Sequence, residues 1–402
     1  MKYNFDEVIE RRHTNCMNTD GFRSYIFHAD DSMKFPYADD EFIRMWVADM
    51  EFATAPCVVD AIKKRADQRI FGYTKVFDPE YYKAFASWCD RLYGWHCEKK
   101  DLVTSNEIVP ALYEFVGYIT KPDEKVLIMT PSYAYFKHAG DYNNRETVCS
   151  DLQDDHGYYT VDFEDFAKKA ADPKVTLFFL CNPHNPSGRV WTEEELTKMF
   201  EICKENKVWI ISDEIHCDLL RCGIHHTPMA KVISKIDPDF DRIVTCMAPS
   251  KTFNLAGLMF SNVIIPNTDL RQIWNDRHYI SDNPLSIAAA QAAYAEGEEW
   301  HQQLREYLDG NFQFTKEYLS QNLPKAVYRI PEATYLAWVD VKEYVKPGTN
   351  LPLFFANNAG VLLEGGNMFV QNSDTFIRLN LAMPRTMLET GLRRICRALL
   401  NQ

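Results

Sequence analysis

The sequence lacks the features that mark a membrane, secreted or nucleic-acid-binding protein. Its 402 residues contain no apolar run near the ~20 residues that a membrane-spanning helix needs. The first residues, MKYNFDEVIERRHTN, lack the apolar stretch of a signal peptide. Lys and Arg total 44 against 57 Asp and Glu, and the resulting net charge of −13 disfavours a nucleic-acid surface. We therefore expect a cytoplasmic protein that binds neither nucleic acid nor membrane.

Paired cysteines and low-complexity segments are also missing. The eleven cysteines are odd in number and show no CxxC spacing, so we expect reduced thiols rather than a disulfide framework. Cys222 lies near His225 and His226, but adjacent histidines rarely converge on one ion, and we expect no metal site. With 16 glycines, 19 prolines and 46% hydrophobic residues, the composition is that of an ordinary globular protein.

What the chain does contain is a series of short apolar runs, at residues 126–129, 175–181, 208–211 and 243–247. Each is apolar at consecutive positions, which is typical of strands covered on both faces of a parallel sheet. Between two of them lies an amphipathic stretch at 192–206, where Thr192 and Glu195 form a capping-box pattern. The alternation of strands and helices predicts an α/β domain.

The length favours two or three domains. We predict a large domain over residues 46–286, with a mostly parallel central sheet covered by helices. Residues 287–402 mix strands and helices and predict a smaller α+β domain that begins with one long helix over 287–322. Its further elements are predicted as strands at 326–330, 334–339 and 376–381, a helix at 351–359 and a last helix from residue 385. Residues 1–45 are expected to form an arm that packs near the small domain.

Candidate site residues follow the predicted strands directly. Tyr133, Asn185, Asp213 and Lys251 each come just after an apolar run, and carboxyl ends of parallel strands are where ligands bind in such sheets. A fifth strand, at 102–104, leads into a helix start, which is an anion-binding position. Each residue alone is explained by capping, turns or packing. Together they suit pyridoxal 5′-phosphate (PLP), which needs a lysine, an acid facing its ring nitrogen and a phosphate cradle.

At these residues the chain resembles a known family. Seven segments carry the resemblance: Trp46–Met50 (WVADM), 71–74 (FGYT), 182–189 (NPHNPSGR), 212–216 (SDEIH), 250–258 (SKTFNLAGL), 334–338 (TYLAW) and 378–380 (RLN). In this order they resemble the MalY/PatB-type cystathionine β-lyases, or C–S lyases, which are fold-type I PLP enzymes of the class I/II aminotransferase family. The segments extend from the N-terminal arm to the last helix, so the resemblance covers essentially the whole chain.

The resemblance implies roles around the cofactor ring. Lys251 would form the Schiff base with PLP, and Asp213 would keep the ring nitrogen protonated. Asn185 would donate to the phenolic oxygen O3′, near which His216 takes the place of a tyrosine found in many aminotransferases. Tyr133 would stack on the ring.

The resemblance also implies how the phosphate is held. The backbone N–H groups of Ile108 and Val109 and the hydroxyl of Ser250 would bind it within one chain. Tyr73 would reach it from the neighbouring subunit, which implies a homodimer with shared active sites.

For the substrate, the resemblance implies that Arg378 binds the α-carboxylate of an amino acid near the backbone of Ala48. Two positions depart from the pattern of many relatives. Glu107 stands where they have glycine before the phosphate-binding residues. Met259 stands eight residues after the lysine, where aminotransferases commonly carry arginine.

The function implied is β-elimination from cystathionine or related S-substituted cysteines, giving pyruvate, ammonia and a thiol. An aminotransferase on the same fold is the first alternative, because it shares every step up to loss of the α-proton. The second alternative is a PLP-containing protein that acts mainly by binding a regulatory protein partner. The residues around Lys251 do not separate these readings.

Overall fold

The computed structural model describes residues 2–278, 282–371 and 373–401. The N-terminal arm contains two short helices and one strand: α1 (Met17–Asp20), α2 (Phe22–Phe27) and β1 (Ile43–Met45). None of the helices in the described ranges has the length and apolar character needed to cross a bilayer.

The large sheet follows the arm. Its strands, with the short β4 that lies outside it, are β2 (Leu102–Ser105), β3 (Lys125–Thr130), β4 (Ser132–Tyr133), β5 (Glu146–Asp155), β6 (Tyr158–Val161), β7 (Val175–Cys181), β8 (Trp209–Asp213), β9 (Ile243–Met247) and β10 (Ser261–Ile264). The eight-stranded order is β2-β10-β9-β8-β7-β3-β5-β6. The stretch from β9 to β5 is parallel, whereas β10 and β6 run antiparallel to their neighbours. The predicted fold class, a mostly parallel α/β sheet, is confirmed.

Helices cover both faces of this sheet. They are α3 (Pro56–Ala66), α4 (Pro79–Tyr93), α5 (Ile108–Ile119), α6 (Ala134–Tyr142), α7 (Phe163–Ala170), α8 (Glu193–Glu205), α9 (Met229–Ile236), α10 (Pro249–Thr252), α11 (Thr268–Arg277) and α12 (Pro284–Glu296). Successive strand residues enter different cores: Phe178 packs with Phe166 of α7, whereas Phe179 packs with Leu112 of α5. This two-sided burial explains the consecutive apolar runs. The predicted capping box of Thr192 and Glu195 begins α8.

The C-terminal part contains a second sheet. Its elements are α13 (Glu298–Asn322), β11 (Val327–Tyr328), β12 (Leu336–Asp340), α14 (Leu351–Ala359), β13 (Val361–Gly365), β14 (Phe369–Val370), β15 (Phe376–Asn380) and α15 (Arg385–Leu400). The five strands are ordered β1-β13-β15-β12-β11, and β1 of the arm pairs in parallel with β13. The short β14 pairs with β4, which follows β3 of the large sheet. This pairing joins the C-terminal part to the large sheet at Tyr133, one of the predicted site residues.

The prediction of one helix over 287–322 is wrong. The chain forms two helices, α12 and α13, which are separated at Gly297. A Cβ at Gly297 would lie 2.4 Å from the Ala293 carbonyl oxygen and 2.5 Å from the Phe253 ring, so close packing requires glycine here. α12 packs on α3 and α4, whereas α13 packs on α15. The predicted domain boundary between residues 286 and 287 falls inside α12, and the division into domains stays a prediction.

Candidate active site

A cavity of about 210 Å³ opens where the carboxyl ends of the parallel strands face the second sheet. Among the described residues, its lining includes ten of the eleven residues predicted for the site: Ala48, Ile108, Val109, Tyr133, Asn185, Asp213, His216, Ser250, Lys251 and Arg378. They come from segments as far apart in sequence as the residues that follow β1 and those of β15. The topology thus brings these ten residues around one cavity, although they are far apart in the sequence. The roles of these residues stay predictions.

Lys251 lies in α10, the single helical turn that follows β9. Its Nζ donates a hydrogen bond to the Ala48 carbonyl oxygen at 2.8 Å. The Tyr335 hydroxyl donates to the same oxygen at 2.7 Å. Burial lowers the pKa of Lys251 from its ordinary value, and the nearby Arg378 guanidinium adds to the shift, while the carboxylates around it oppose it. A lysine whose neutral amine is favoured is suited to act as a nucleophile or a base.

The segment that carries Ala48 is fixed by two asparagine side chains. Asn380 Nδ2 donates to the Val47 carbonyl oxygen at 2.8 Å and also to that of Asp49. Asn254, with a left-handed φ of 58°, accepts from the Met50 N–H at 3.0 Å and donates to its carbonyl oxygen at 2.9 Å. The Ala48 carbonyl therefore has a defined position beside the amine of Lys251.

Asp213 ends β8, the strand beside β9 in the sheet. Its Oδ1 accepts the Ile215 N–H at 3.2 Å. The residue is 6% exposed, and this burial raises the pKa of Asp213 to about 7, partly offset by that hydrogen bond and by the charge of Lys251. A buried carboxylate with so little compensation favours a cationic partner in the cavity.

Arg378 is held by three acceptors. Its Nη1 donates to Asn185 Oδ1 at 3.2 Å, and Nη2 donates to the Trp46 carbonyl oxygen at 3.1 Å. Nη2 also forms an ion pair with Glu364, which faces Arg378 across β13 and β15. The Nε is buried and has no partner among the described residues. The guanidinium is thus fixed in place with donor capacity left for a ligand.

His216 and Tyr133 both line the cavity. Burial lowers the pKa of His216 to about 3, helped by the charges of Lys251 and Arg378, so the imidazole is neutral. His216 Nδ1 is buried without a partner among the described residues, and the ring lies 6.3 Å from that of Tyr335. Tyr133, in β4, is positioned by the pairing of β4 with β14 and by an edge contact with Phe136 at 6.1 Å.

The amino end of α5 forms another wall. Glu107 occupies the N-cap position without capping the helix through its side chain, and its carbonyl oxygen accepts from Ser105 Oγ at 2.8 Å. The first backbone N–H groups of a helix have no intrahelical partner, so those of Ile108 and Val109 are available to an anion. Ser250 lies on the same cavity. Glu107, the departure noted in the sequence, is exposed and also belongs to the residues that line the cavity.

Tyr73 is the one predicted site residue that the fold does not bring into the cavity. It lies in a segment without helix or strand between α3 and α4, and it is 92% exposed. Its neighbours Ile70, Phe71 and Phe77 are 74%, 56% and 81% exposed. Within one chain Tyr73 therefore does not contact the site.

Among the cavity residues that sequence reasoning did not predict, two carry polar groups that contact other parts of the site, Tyr25 and Glu364. Tyr25 comes from α2 of the arm and packs on Trp46 with ring centroids 5.1 Å apart. Glu364 is 7% exposed and pairs with Arg378. A signal for Glu364 was available, because a charged residue interrupts the apolar run Val361-Leu362-Leu363, and buried charges are normally paired. No comparable signal marked Tyr25.

The cavity fits the requirements of PLP. One cavity is lined by a lysine with a lowered pKa, by the under-compensated carboxylate of Asp213 and by His216, whose Nδ1 is buried without a partner among the described residues. A helix N-terminus lies at the same space and suits a phosphate. Among the described residues there is no group of three or more His, Cys, Asp or Glu able to hold a metal ion. Near the histidines considered in the sequence, His226 Nε2 lies 2.8 Å from Glu214 Oε2 inside the core.

Known proteins resemble the chain over its full length. Residues 41–395 match the family model described as aminotransferase class I and II. Cystathionine β-lyase PatB of Bacillus subtilis is 37% identical, covering 98% of this chain and 100% of that protein. Protein MalY of Escherichia coli is 29% identical, covering 99% of each. The crystal structure of a PLP-bound C–S lyase from Staphylococcus hominis is 49% identical with a TM-score of 0.94, covering 100% of this chain and 99% of that one.

Proposed function

Because the chain belongs to the class I and II aminotransferase family, we propose that it is a PLP-dependent C–S lyase. It converts cystathionine or related S-substituted cysteines into pyruvate, ammonia and a thiol by β-elimination. The family assignment confirms the resemblance read from the sequence. The observation that carries the proposal is the half-buried Lys251, whose Nζ donates to the Ala48 carbonyl oxygen and whose pKa is influenced by both Asp213 and Arg378.

PLP, once bound through Lys251, supplies an electron-withdrawing ring that stabilises negative charge at the substrate α-carbon. Asp213 serves this chemistry by holding a proton on the ring nitrogen, where the carboxylate gains the cationic partner that its burial requires. Asn185 and the neutral His216 would hold the phenolic oxygen, and Tyr133 would stack on the ring.

With PLP bound, a substrate amine would take the place of Lys251, and the freed amine of Lys251 would accept the proton of the substrate α-carbon. Its lowered pKa suits this role as a base. Loss of that proton would let the β-carbon release its thiolate with the electron pair of the C–S bond, and one water molecule would complete the conversion to pyruvate and ammonia. The Ala48 carbonyl oxygen, which accepts from Lys251 at 2.8 Å, aims the amine during this transfer.

Arg378 orients the substrate through its α-carboxylate. The guanidinium is fixed by Asn185 and Trp46, so a carboxylate meets donors that are already arranged. The N–H groups of Ile108 and Val109 and the hydroxyl of Ser250 would bind the phosphate in the same cavity. These two anchors fix the α-carbon relative to Lys251.

The active form is proposed to be a homodimer. Tyr73 would bind the phosphate of the neighbouring subunit, because its segment is exposed and apolar and Tyr73 does not line the cavity of its own chain. A cytoplasmic location is supported by the eleven free cysteines, which suit a reducing compartment.

A direct test is to supply purified protein with PLP and cystathionine or S-methylcysteine, with no 2-oxo acid present. Pyruvate, ammonia and thiol should form in equal amounts. The Lys251→Ala variant should fold, as judged by circular dichroism, and form none of them. Absence of pyruvate from every S-substituted cysteine in a broad panel would refute the proposed reaction.

A further inference from the structure

Arg11 lies in the N-terminal arm, ahead of α1, and binds the segment that follows β1. Its Nη1 donates to the Met50 carbonyl oxygen at 3.2 Å and to Glu51 Oε1 at 3.2 Å. Nη1 also donates to Asp49 Oδ1 at 3.4 Å, and Nη2 donates to the other oxygen of the same carboxylate. One guanidinium thus contacts three consecutive residues, which directly follow Ala48.

The acids of this segment are balanced by the arginines around them. Asn18 of α1, which is 2% exposed, donates to Asp49 Oδ1 at 3.1 Å and to Glu51 Oε1 at 2.9 Å. Arg44 Nε lies 3.6 Å from Glu51 Oε1. The side chains of Arg11 and Asp49 are 18% and 20% exposed, so water screens their attraction only in part. Loss of Arg11 would leave this cluster with one uncompensated negative charge.

The charge of Asp49 acts on the amine of Lys251. Among the charges around that amine, Asp49 has the largest effect, and it opposes the fall in the pKa of Lys251 that burial causes. The other titratable groups that act on Lys251 or share its acceptor are Arg378, Asp213, Glu364, His216 and Tyr335. Burial keeps two of them neutral, since it lowers the pKa of His216 to about 3 and raises that of Tyr335.

Resting on the proposed function, we propose that Arg11 is a positioning residue for Lys251. It holds the segment in which the Ala48 carbonyl oxygen accepts from the lysine, and it offsets the charge of Asp49 beside that amine. The amine is therefore aimed, and its neutral form is available at a lower pH. Without Arg11, the negative charge of Asp49 would favour the ammonium form of Lys251.

The test measures the amine of Lys251 without requiring any elimination. Full-length apoprotein is mixed with PLP at a series of pH values, and covalent attachment is followed by the absorbance of the cofactor. Borohydride reduction and peptide mapping verify that attachment is at Lys251. The rate should rise with pH as the amine loses its proton. In Arg11→Gln the midpoint of this rise should lie about half a pH unit or more above that of the wild type.

Two further variants separate the charge of Arg11 from its hydrogen bonds. Arg11→Lys keeps the charge with fewer donors, and its midpoint should stay near that of the wild type. The double variant Arg11→Gln/Asp49→Asn restores the balance of charge but not the bonds to the backbone, and it should return the midpoint close to the wild-type value. A merely structural role of Arg11 would not be corrected by removing the charge of Asp49.

Arg12→Gln is the matched control, because Arg12 is the next residue of the arm and pairs with Glu10 and with Asp40 at 3.4 Å. It should leave the midpoint unchanged. The inference is overturned if folded Arg11→Gln has the midpoint of the wild type. It is also overturned if the double variant keeps the full upward shift of Arg11→Gln.

The holoenzyme gives a second readout that separates failure of this inference from failure of the proposed reaction. The acidic limb of the pH profile of kcat, measured as pyruvate formed at saturating S-methylcysteine, should move upward in Arg11→Gln by a similar amount. If the wild type forms no pyruvate, the proposed reaction fails, and the attachment of PLP still decides the role of Arg11. A shifted midpoint of attachment with an unshifted kcat profile contradicts a role of Arg11 in proton transfer.

Discussion

Among single residues, Lys251 and Asp213 are shifted in opposite directions by the same cause. Burial disfavours charge, so the pKa of Lys251 falls and that of Asp213 rises to about 7. In the absence of cofactor both groups are driven towards their neutral forms. Such pairs of shifted groups in one cavity are typical of catalytic sites.

Asp213→Asn should reduce turnover of the holoenzyme while leaving the fold intact. The amide cannot form a charge-assisted bond to a protonated ring nitrogen, and such a bond is worth ~1.5–3 kcal/mol, so kcat should fall roughly 10- to 100-fold. Steady-state pyruvate formation at saturating PLP measures this, with circular dichroism as the control for folding. A variant with the wild-type kcat would show that another group protonates the ring.

The same substitution should have a pH-dependent effect on the stability of the apoprotein. Folded Asp213 keeps its proton up to about pH 7, whereas an unfolded aspartate loses it near ~3.9. Between these values the folded state holds more protons, so the contribution of Asp213 to stability falls as pH rises. In urea unfolding, the free energy of unfolding of Asp213→Asn should rise relative to that of the wild type between pH 4 and 7, by on the order of a few kcal/mol. A difference that does not change with pH would contradict the shifted pKa.

Arg378→Ala should weaken the binding of every substrate and should also leave the buried Glu364 without its cation. Loss of a desolvated charge-assisted pair costs ~2–5 kcal/mol, which should appear as a higher KM for all S-substituted cysteines. Part of the cost to stability arises because Glu364 is left buried without its cation. The double variant Arg378→Ala/Glu364→Gln should therefore unfold at higher urea than Arg378→Ala while remaining weak in substrate binding. If the two variants unfold alike, the buried ion pair does not carry the proposed charge.

At the scale of residues, the sequence predicted which side chains follow the ends of the large-sheet strands. It did not predict which side chains pair across neighbouring strands of the second sheet. Lys251, Asp213 and Asn185 follow apolar runs of the large sheet and were identified from that position. Glu364 was missed because its relevance depends on the register of β13 against β15, which pairs it with Arg378. Only tertiary structure establishes that register.

At the level of elements, strands were predicted well because burial on both faces leaves a sequence pattern. β7 and β9 have the predicted bounds, and α14 does as well. The break between α12 and α13 was not visible, since one glycine inside a helical pattern is compatible with a continuous helix. Glycine is required at position 297 because the ring of Phe253 packs against it. Phe253 is distant in sequence and lies two residues after the candidate catalytic lysine.

Gly297→Ala should therefore destabilise the protein. The new Cβ would lie 2.5 Å from the Phe253 ring and 2.4 Å from the Ala293 carbonyl oxygen. Overpacking of this kind costs ~1–3 kcal/mol in the free energy of unfolding, as measured by urea. Gly310→Ala in α13 is the matched control, since its Cβ meets only the end of the Arg385 side chain at 3.2 Å. Equal effects of the two substitutions would contradict the packing explanation.

At the scale of the whole molecule, the exposed segment around Tyr73 predicts a dimer in which each subunit contributes Tyr73 to the site of the other. Inactive Tyr73→Ala and inactive Lys251→Ala chains should regain activity when mixed and allowed to exchange subunits. Each heterodimer then contains one site with an intact lysine and an intact tyrosine from the other chain. Affinity tags of different kinds on the two chains, followed by co-purification, establish that heterodimers form. If they form without activity, Tyr73 serves its own subunit.

The central claim is that the amino group of the substrate ends as ammonia. The most direct measurement supplies S-methylcysteine with an isotope-labelled nitrogen, together with an excess of a 2-oxo acid, and follows the label by NMR. The account predicts that the label appears in ammonia, in an amount equal to the thiol released. Label recovered in the amino acid derived from the 2-oxo acid, without release of thiol, would show that the protein is an aminotransferase.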